Sequence, residues 1–184
     1  MTYQRLADAL SLIFRRNFDT YSSFSDICTK FYDLIVDLEE VANFVLSNVK
    51  PYPTKNSLFV GGFFMVAKVL AKAGWALTVV DYTDEMVEED KKRLPGVTVE
   101  KADLKDLPYE NQFECIFVIG RVFTHMLTSA DVNQALQSLH SSRKPGGILF
   151  FDNYESSKIQ VTNYFNVSYH SRRSINKDRE RFDN

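Results

Sequence analysis

Two glycines and a carboxylate have the spacing of a site that binds a nucleoside. Gly61 and Gly62 follow an apolar run, and glycine lets the backbone adopt positive φ and approach a ligand without an intervening side chain. Asp81 follows a second apolar run, 20 residues after Gly61, where a carboxylate can accept hydrogen bonds from ribose hydroxyls. Tyr82 would then lie beside the adenine. Alternatively, Asp81 only caps the next helix, but Thr83 and its neighbour offer the same cap, so the ribose interpretation is favoured.

A histidine and an arginine are the candidates for catalysis. Arg121, Thr124 and His125 occur together in the segment RVFTHM, after a later apolar run. A histidine with a pKa near neutrality can deprotonate an amine or hydroxyl, or can orient it. His125 and Arg121 are therefore predicted catalytic residues, with the alternative that His125 only bonds a loop carbonyl.

The sequence lacks the residues that are characteristic of other classes of catalysis. The three histidines and two cysteines have no metal-ligand spacing. The sequence contains neither a G-x-S-x-G nucleophile elbow nor a phosphate-binding P-loop. Cys28 and Cys115 lie in apolar surroundings and are interpreted as core thiols of a reducing compartment. We expect no metal, no covalent nucleophile and a cytoplasmic location.

The composition indicates one compact domain. The chain has 184 residues, of which 45% are hydrophobic and 25% charged, enough for a substantial core. A net charge of -2 gives no bulk attraction to a polyanion. No segment is long and uncharged enough to span a bilayer, and the arginines near the amino terminus follow the apolar stretch, unlike those of a signal peptide. We expect neither nucleic acid nor a membrane as partner.

The first 50 residues are predicted to form a helical cap. Apolar residues at helical spacing predict helices at 3–14 and 27–35, and the second can be capped by the residues just before it. A further helix is predicted at 38–49, ending before Pro51.

Residues 51–155 alternate short apolar runs with helical patterns. The runs are nearly continuous in apolar residues, as in strands covered on both faces. This pattern predicts an α/β fold with a doubly wound, mostly parallel sheet of the Rossmann type, in which the loops after the strands share one edge. The predicted strands are 57–61, 76–81, 97–103, 114–120 and 148–153, and the predicted helices are 64–74, 83–93 and 129–140.

The remaining residues, 156–184, are predicted to be an antiparallel extension and a polar tail of the same domain. A sheet that ends near Phe151 would leave a strand edge exposed. We therefore expect a homo-oligomer.

Six segments occur in an order and spacing typical of one family: ICTKFYDLI, LFVGG with LAKAG, LTVVDYTDEMV, VEKADLKDLP, FECIFVIGRVFTHM and SSRKPGGILFFDN. Together they resemble class I S-adenosylmethionine-dependent methyltransferases, particularly the small-molecule N-methyltransferases that include amino-sugar enzymes. The resemblance covers most of the chain. It implies S-adenosylmethionine as cofactor and methyl transfer to a nitrogen or oxygen of a small-molecule acceptor.

The resemblance also implies roles for four further residues. Asp103 would accept the adenine amino hydrogen and Leu104 would contact the ring. The backbone of Gly120 would lie against the methionine portion, and Tyr32 resembles an aromatic residue that closes over the cofactor. The alternatives are a solvated loop acid at Asp103, a plain turn at Gly120 and a core aromatic residue at Tyr32.

The sequence departs from the family in the glycine-rich loop. Phe59 stands where an acid is expected, and Phe63 and Met65 replace glycines. Without that acid, the cofactor's ammonium group loses a charge-assisted contact worth about 1.5–3 kcal/mol. Alternatively, the aromatic residues fill the cofactor pocket. Two other functions therefore stay open: a non-catalytic binding or assembly protein with this fold and, more weakly, a nicotinamide dinucleotide protein.

Overall fold

The computed structural model describes residues 37–49, 56–61 and 64–153. The predicted helices at 3–14 and 27–35 and the extension at 156–184 lie outside these residues. The described elements are, in chain order, α1 (Leu38–Val49), β1 (Asn56–Val60), α2 (Phe64–Lys72), β2 (Ala76–Asp81), α3 (Asp84–Arg93), β3 (Thr98–Lys101), β4 (Phe113–Val118), a 3₁₀ helix (Val122–His125), α4 (Ser129–Ser142) and β5 (Arg143–Phe151).

The five strands form one sheet in the order β3-β2-β1-β4-β5, and every neighbouring pair is parallel. The chain moves outward from β1 to β3 and then returns to the other side of β1 as β4. Right-handed crossovers place the helices of these two halves on opposite faces. The doubly wound α/β fold predicted from the sequence is therefore confirmed. The order reverses between β1 and β4, which is the usual position of a ligand crevice in such sheets.

Each face of the sheet has its own apolar core. Phe59 and Phe117 are fully buried in the first core together with residues of α1 and α2. Leu58 and Val118 point to the other face, where they pack with Leu139 of α4. Successive side chains of a strand alternate between faces, so a strand with both sides covered must be apolar at every position.

Three helices begin at side chains that bond their first free N–H groups. The amide of Glu40 donates to Asp37 Oδ1 at 2.9 Å at the start of α1. The amide of Met86 donates to Thr83 Oγ1 at 3.2 Å at the start of α3, and Thr128 caps α4 in the same way. These are the residue types that helix starts prefer. Thr83, not Asp81, therefore supplies the side-chain cap of α3.

The KPGG segment, residues 144–147, lies inside the last strand, although that strand was predicted to begin at residue 148. Strand β5 already begins at Arg143, and its register with β4 shifts before regular pairing resumes at Ile148. The intervening residues form a bulge in which Gly146 has a φ of +77°. A Cβ on Gly147 would lie 2.8 Å from the carbonyl oxygen of Glu114. The glycine pair is thus required by a bulge against the neighbouring strand.

Candidate functional site

Four neighbouring strands bring predicted site residues to the same edge of the sheet. These residues, which end or follow β1 to β4, are Gly61, Asp81, Asp103 and Gly120. The amide of Gly61 donates to Val80 O at 3.2 Å, and that of Ala102 donates to Asp81 O at 3.0 Å. The loops are therefore tied to adjacent strands at the edge where ligands bind in open α/β sheets.

The carboxylate of Asp81 is held through one oxygen. Its Oδ1 accepts hydrogen bonds from the amides of Tyr82 at 2.7 Å and Thr83 at 3.4 Å. Its Oδ2 has no hydrogen-bond partner within the part of the chain that the structure describes. Burial raises the pKa of Asp81 to about 6, although the two amides act to lower it. Asp81 is thus mainly ionised at neutral pH, with one oxygen available as an acceptor, and the neighbouring Tyr82 is exposed.

The loop after β3 holds Asp103 and Leu104 in different environments. Asp103 is partly buried, and its Oδ1 accepts a hydrogen bond from the amide of Lys105 at 2.9 Å. The side chain of Lys105 reaches Asp131 on α4, with an Nζ to Oδ1 distance of 3.2 Å. Leu104 is buried in the second core. Asp103 therefore shapes its own turn, and Leu104 contributes most of its surface to packing.

The aromatic residues near the β1 turn belong to the core as far as the structure describes them. Phe59 is fully buried, with its ring centroid 6.3 Å from that of Phe117. Phe64 begins α2 and is buried, and the guanidinium carbon of Arg93 on α3 lies 4.4 Å from its ring centroid. Its ring thus packs between α2 and α3. The position at which the family has an acid is occupied by a core side chain.

Gly61 allows the β1 turn and the loop after β4 to touch. Its φ is +104°, and a Cβ at this position would lie 2.8 Å from Val122 Cγ2 and 3.0 Å from the carbonyl oxygen of Ile119. The space beside Gly61 is therefore filled by the protein itself. The glycine is needed both for its backbone conformation and for this close approach.

Replacing Gly61 by alanine is expected to lower the free energy of unfolding by about 2–4 kcal/mol, because strain at positive φ adds to overpacking. Gly96→Ala is the matched control, since Gly96 also has a positive φ, +84°, but a Cβ there would meet no atom within 4 Å. Urea denaturation of both variants separates the cost of backbone strain, which both share, from the cost of overpacking, which only Gly61→Ala has. Equal losses would contradict the close approach at Gly61.

The loop after β4 carries the two predicted catalytic residues. Gly120 and Arg121 have φ values of 106° and 60°, and the 3₁₀ helix that follows ends at His125. The hydroxyl of Thr124 donates to Arg121 O at 2.7 Å. Burial lowers the pKa of His125, and the charge of Arg121 acts in the same direction. The imidazole is therefore neutral at pH 7 and able to accept a proton.

Asp152 also lies at this site, although it is not among the residues predicted from the sequence. Its Oδ1 accepts hydrogen bonds from the amides of Gly120 at 2.9 Å and Arg121 at 2.7 Å. The signal was present, because Asp152 directly follows the last strand, as Asp81 ends β2. A carboxylate after a strand in this sheet lies at the same edge as the other candidates.

A buried carboxyl group, Asp90, was also missed. It is fully buried on α3, and neither side-chain oxygen has a hydrogen-bond partner among the described residues. Burial raises its pKa to about 8, and the charge of Asp81 contributes. Asp90 follows the buried Met86 and Val87 at helical spacing, a pattern that could have indicated its burial.

Two predicted cofactor-binding residues, Gly62 and Tyr32, lie outside the described residues, as does Phe63. In the described part of the chain, Cys115 is a buried thiol whose pKa burial raises to about 12. No group of three or more potential metal ligands comes together among those residues. The described helices also include none with the length and hydropathy needed to cross a membrane.

Residues 62–147 match a protein family described as a methyltransferase domain. This part of the chain is therefore similar to a methyltransferase domain. The match begins at the second glycine of the β1 turn and ends at the glycine bulge of β5. Together with the fold and the relatives described next, it confirms the predicted resemblance to class I S-adenosylmethionine-dependent methyltransferases.

The known proteins to which this chain is similar are longer than it is. It is 26% identical over 151 residues to an inferred methyltransferase of Geobacillus sp. (strain WCH70), which covers 76% of this chain and 60% of that protein. A crystal structure of an S-adenosylmethionine-dependent methyltransferase from Clostridium acetobutylicum ATCC 824 superimposes with a TM-score of 0.65 at 18% identity, over 77% of this chain and 60% of that one.

A second solved structure adds a bound cofactor to the comparison. It is CalS10 with S-adenosylmethionine, an amino pentose methyltransferase from Micromonospora echinaspora involved in calicheamicin biosynthesis, with a TM-score of 0.53 at 19% identity, over 65% of this chain and 50% of that one. At these identities the structural likeness establishes the fold. The chain spans 50–60% of the length of the three proteins.

Proposed function

We propose that this protein transfers a methyl group from S-adenosylmethionine to a nitrogen or oxygen atom of a small-molecule acceptor. The observation that carries the proposal is the Asp81 carboxylate at the end of β2, which is anchored through Oδ1 and has Oδ2 available. The methyltransferase-domain match supports the reaction class. The likeness to CalS10, an amino pentose methyltransferase with S-adenosylmethionine bound, supports the cofactor and a small polar acceptor.

The described residues fit the nucleoside half of this cofactor better than its amino-acid half. The Asp81 carboxylate has the acceptor chemistry that ribose hydroxyls need, and the Tyr82 ring, 57% exposed, is accessible for contact with adenine. Asp103 would accept from the adenine amino group, beside Leu104. The ammonium group, in contrast, lacks a carboxylate at position 59 because Phe59 is buried in the core. We expect binding that is weaker than in relatives with that acid.

The remaining contacts to the cofactor would come from backbone and aromatic groups. The peptides of Gly61, Gly62 and Gly120 would approach the methionine portion, and Tyr32 would close over it. When bound, S-adenosylmethionine supplies an electrophilic methyl group. The protein would contribute alignment of the acceptor, which for well-oriented reactants is worth about 7–11 kcal/mol.

His125 and Arg121 are assigned to the acceptor. The neutral imidazole of His125 would take up the proton that an amine or hydroxyl loses. The lowered pKa of His125 supports this role, because a histidine that was already protonated could not act as a base. Arg121 helps to keep it neutral and would orient a polar acceptor.

The second candidate is a protein with this fold that binds or assembles without catalysis. Two observations favour it: Phe59 replaces the family's acid with a core side chain, and Val122 fills the space beside Gly61. A nicotinamide dinucleotide protein would also use Gly61 and Asp81, but this sequence lacks the G-x-G-x-x-G pattern of such proteins.

Calorimetry distinguishes these functions. We expect S-adenosylmethionine and S-adenosylhomocysteine to bind with dissociation constants in the micromolar range, and a nicotinamide dinucleotide to give no heat. Absence of heat at millimolar concentrations of both sulfur ligands would favour the assembly protein. Heat with the dinucleotide alone would overturn the proposal in favour of the third function.

A further inference from the structure

The loop after β4 has an uncommon backbone conformation. Gly120 and Arg121 are consecutive residues with positive φ, at 106° and 60°. Arg121 is not a glycine, and a side-chain-bearing residue in the left-handed region is uncommon because its Cβ crowds the backbone. Such a conformation persists where the surrounding structure holds it in place.

Asp152 holds this loop from the side of β5. One carboxylate oxygen, Oδ1, accepts hydrogen bonds from both the Gly120 and the Arg121 amides, at 2.9 and 2.7 Å. The amide of Asp152 donates to Val118 O at 3.2 Å, so its main chain is bonded to β4 as well. Successive N–H groups that converge on one oxygen form an anion-binding concavity, and here the anion is a side chain 31 and 32 residues away in sequence.

The same loop is fixed from the opposite side by β1. Val122 and the carbonyl of Ile119 occupy the space beside Gly61. The loop is therefore held between the β1 turn and Asp152, at the position where the strand order reverses. Gly120, Arg121 and His125, all assigned above to the cofactor or the acceptor, belong to this loop or to the 3₁₀ helix that continues it.

We infer that Asp152 is a positioning residue of the methyl-transfer site: its carboxylate fixes the Gly120–Arg121 backbone from which the cofactor and the acceptor are contacted. The inference rests on the proposed function. Asp152 acts through the loop and takes no part in the chemistry. A purely structural role would affect folding stability without a matching effect on ligand affinity.

Three substitutions at position 152 test this role. Asp152→Ala removes the acceptor for both amides. Asp152→Asn keeps an oxygen at the place of Oδ1 without its charge, and Asp152→Glu keeps the charge but moves the oxygens by one methylene group. Glu110→Ala removes a carboxylate from an exposed position elsewhere and serves as the control.

The measurements are the dissociation constant for S-adenosylhomocysteine by calorimetry and, without ligand, hydrogen exchange of the Gly120 and Arg121 amides. For Asp152→Ala we expect affinity at least about tenfold lower and exchange at least about tenfold faster, because two charge-assisted bonds are lost. For Asp152→Asn we expect affinity within about threefold of the wild type, since a neutral acceptor keeps the geometry. Asp152→Glu should lie between these, and the control should match the wild type.

Wild-type affinity in Asp152→Ala, or equal losses in the alanine and asparagine variants, would overturn the positioning role. Should the alanine variant fail to fold, the asparagine and glutamate variants decide, because the role requires asparagine to bind more tightly than glutamate. If the wild-type protein binds neither sulfur ligand, the proposed function itself fails. Slow exchange of the Gly120 and Arg121 amides would then show that Asp152 bonds the loop although there is no cofactor to position. The inference would be wrong in that case.

Discussion

Replacing Asp81 by asparagine is expected to weaken S-adenosylhomocysteine binding about 100-fold at pH 7.5. The ionised carboxylate would accept hydrogen bonds from ribose hydroxyls, and charge-assisted bonds of this kind contribute about 1.5–3 kcal/mol. Asparagine can still accept the amides of Tyr82 and Thr83 through its own oxygen, so the turn should be preserved. Calorimetry measures the loss. Asp84→Asn is the control, because this exposed carboxylate pairs with Lys101 instead.

The same carboxylate predicts how ligand affinity depends on pH. Burial raises the pKa of Asp81 to about 6 in the unliganded protein, and only its ionised form accepts both hydroxyl hydrogens. Affinity should therefore be full above pH 7 and fall about tenfold per unit as the pH decreases below 6. Asp81→Asn should bind weakly with little change between pH 5 and 7. A pH-independent wild type would contradict the ribose role of Asp81.

Local sequence signals predicted those parts of the fold that depend on local interactions. Helix α1 occupies Leu38–Val49, as predicted from its apolar spacing and from the prolines beyond it. Strand β2 occupies Ala76–Asp81, also as predicted, because its apolar residues are bounded by a glycine turn and by polar residues. The alternation of strands and helices then restricts the topology, since parallel strands require right-handed crossovers.

The contacts that the sequence did not reveal are those between distant segments. Asp152 bonds the loop after β4 only because β5 lies next to β4 in the sheet. Gly61 was interpreted as a glycine that approaches a ligand, yet a side chain at this position would meet atoms of Val122 and Ile119. Aromatic residues of the glycine-rich loop were considered as groups that fill the pocket, but the ring of the adjacent Phe64 meets Arg93 of α3. Each of these depends on a tertiary neighbour that no local pattern specifies.

Asp90 is expected to make folding stability strongly dependent on pH. Its pKa is about 8 in the folded protein, raised by burial and by the Asp81 charge, against an ordinary value of 3.8. Between these values the folded state binds a proton that the unfolded state releases. The free energy of unfolding should therefore decrease as the pH rises from about 4 to 8, by as much as about 1.4 kcal/mol per unit from this group.

Asparagine at position 90 removes this dependence while nearly preserving the side chain's shape. At pH 7.5 we expect Asp90→Asn to raise the free energy of unfolding by about 2 kcal/mol. The gain is smaller than the full proton-binding cost because an unpartnered buried amide itself costs about 1–3 kcal/mol. Near pH 4 the sign should reverse, and Asp90→Asn should be less stable than the wild type by about 2 kcal/mol, because aspartic acid is then protonated in the folded state and partly so in the unfolded state, while the cost of the buried amide remains.

Urea denaturation of wild type and Asp90→Asn at several pH values measures both effects, with Glu88→Gln on the exposed side of α3 as the control. Equal pH slopes in the two proteins would show that Asp90 is ionised and compensated by groups in the rest of the chain.

The pH dependence of ligand binding provides an independent check. Because Asp90 is neutral in the pH range where Asp81 titrates, its replacement by asparagine should leave the pH midpoint of S-adenosylhomocysteine binding near 6. A lower midpoint would mean that Asp90 carries charge at that pH, and that the two carboxyl groups titrate as a coupled pair.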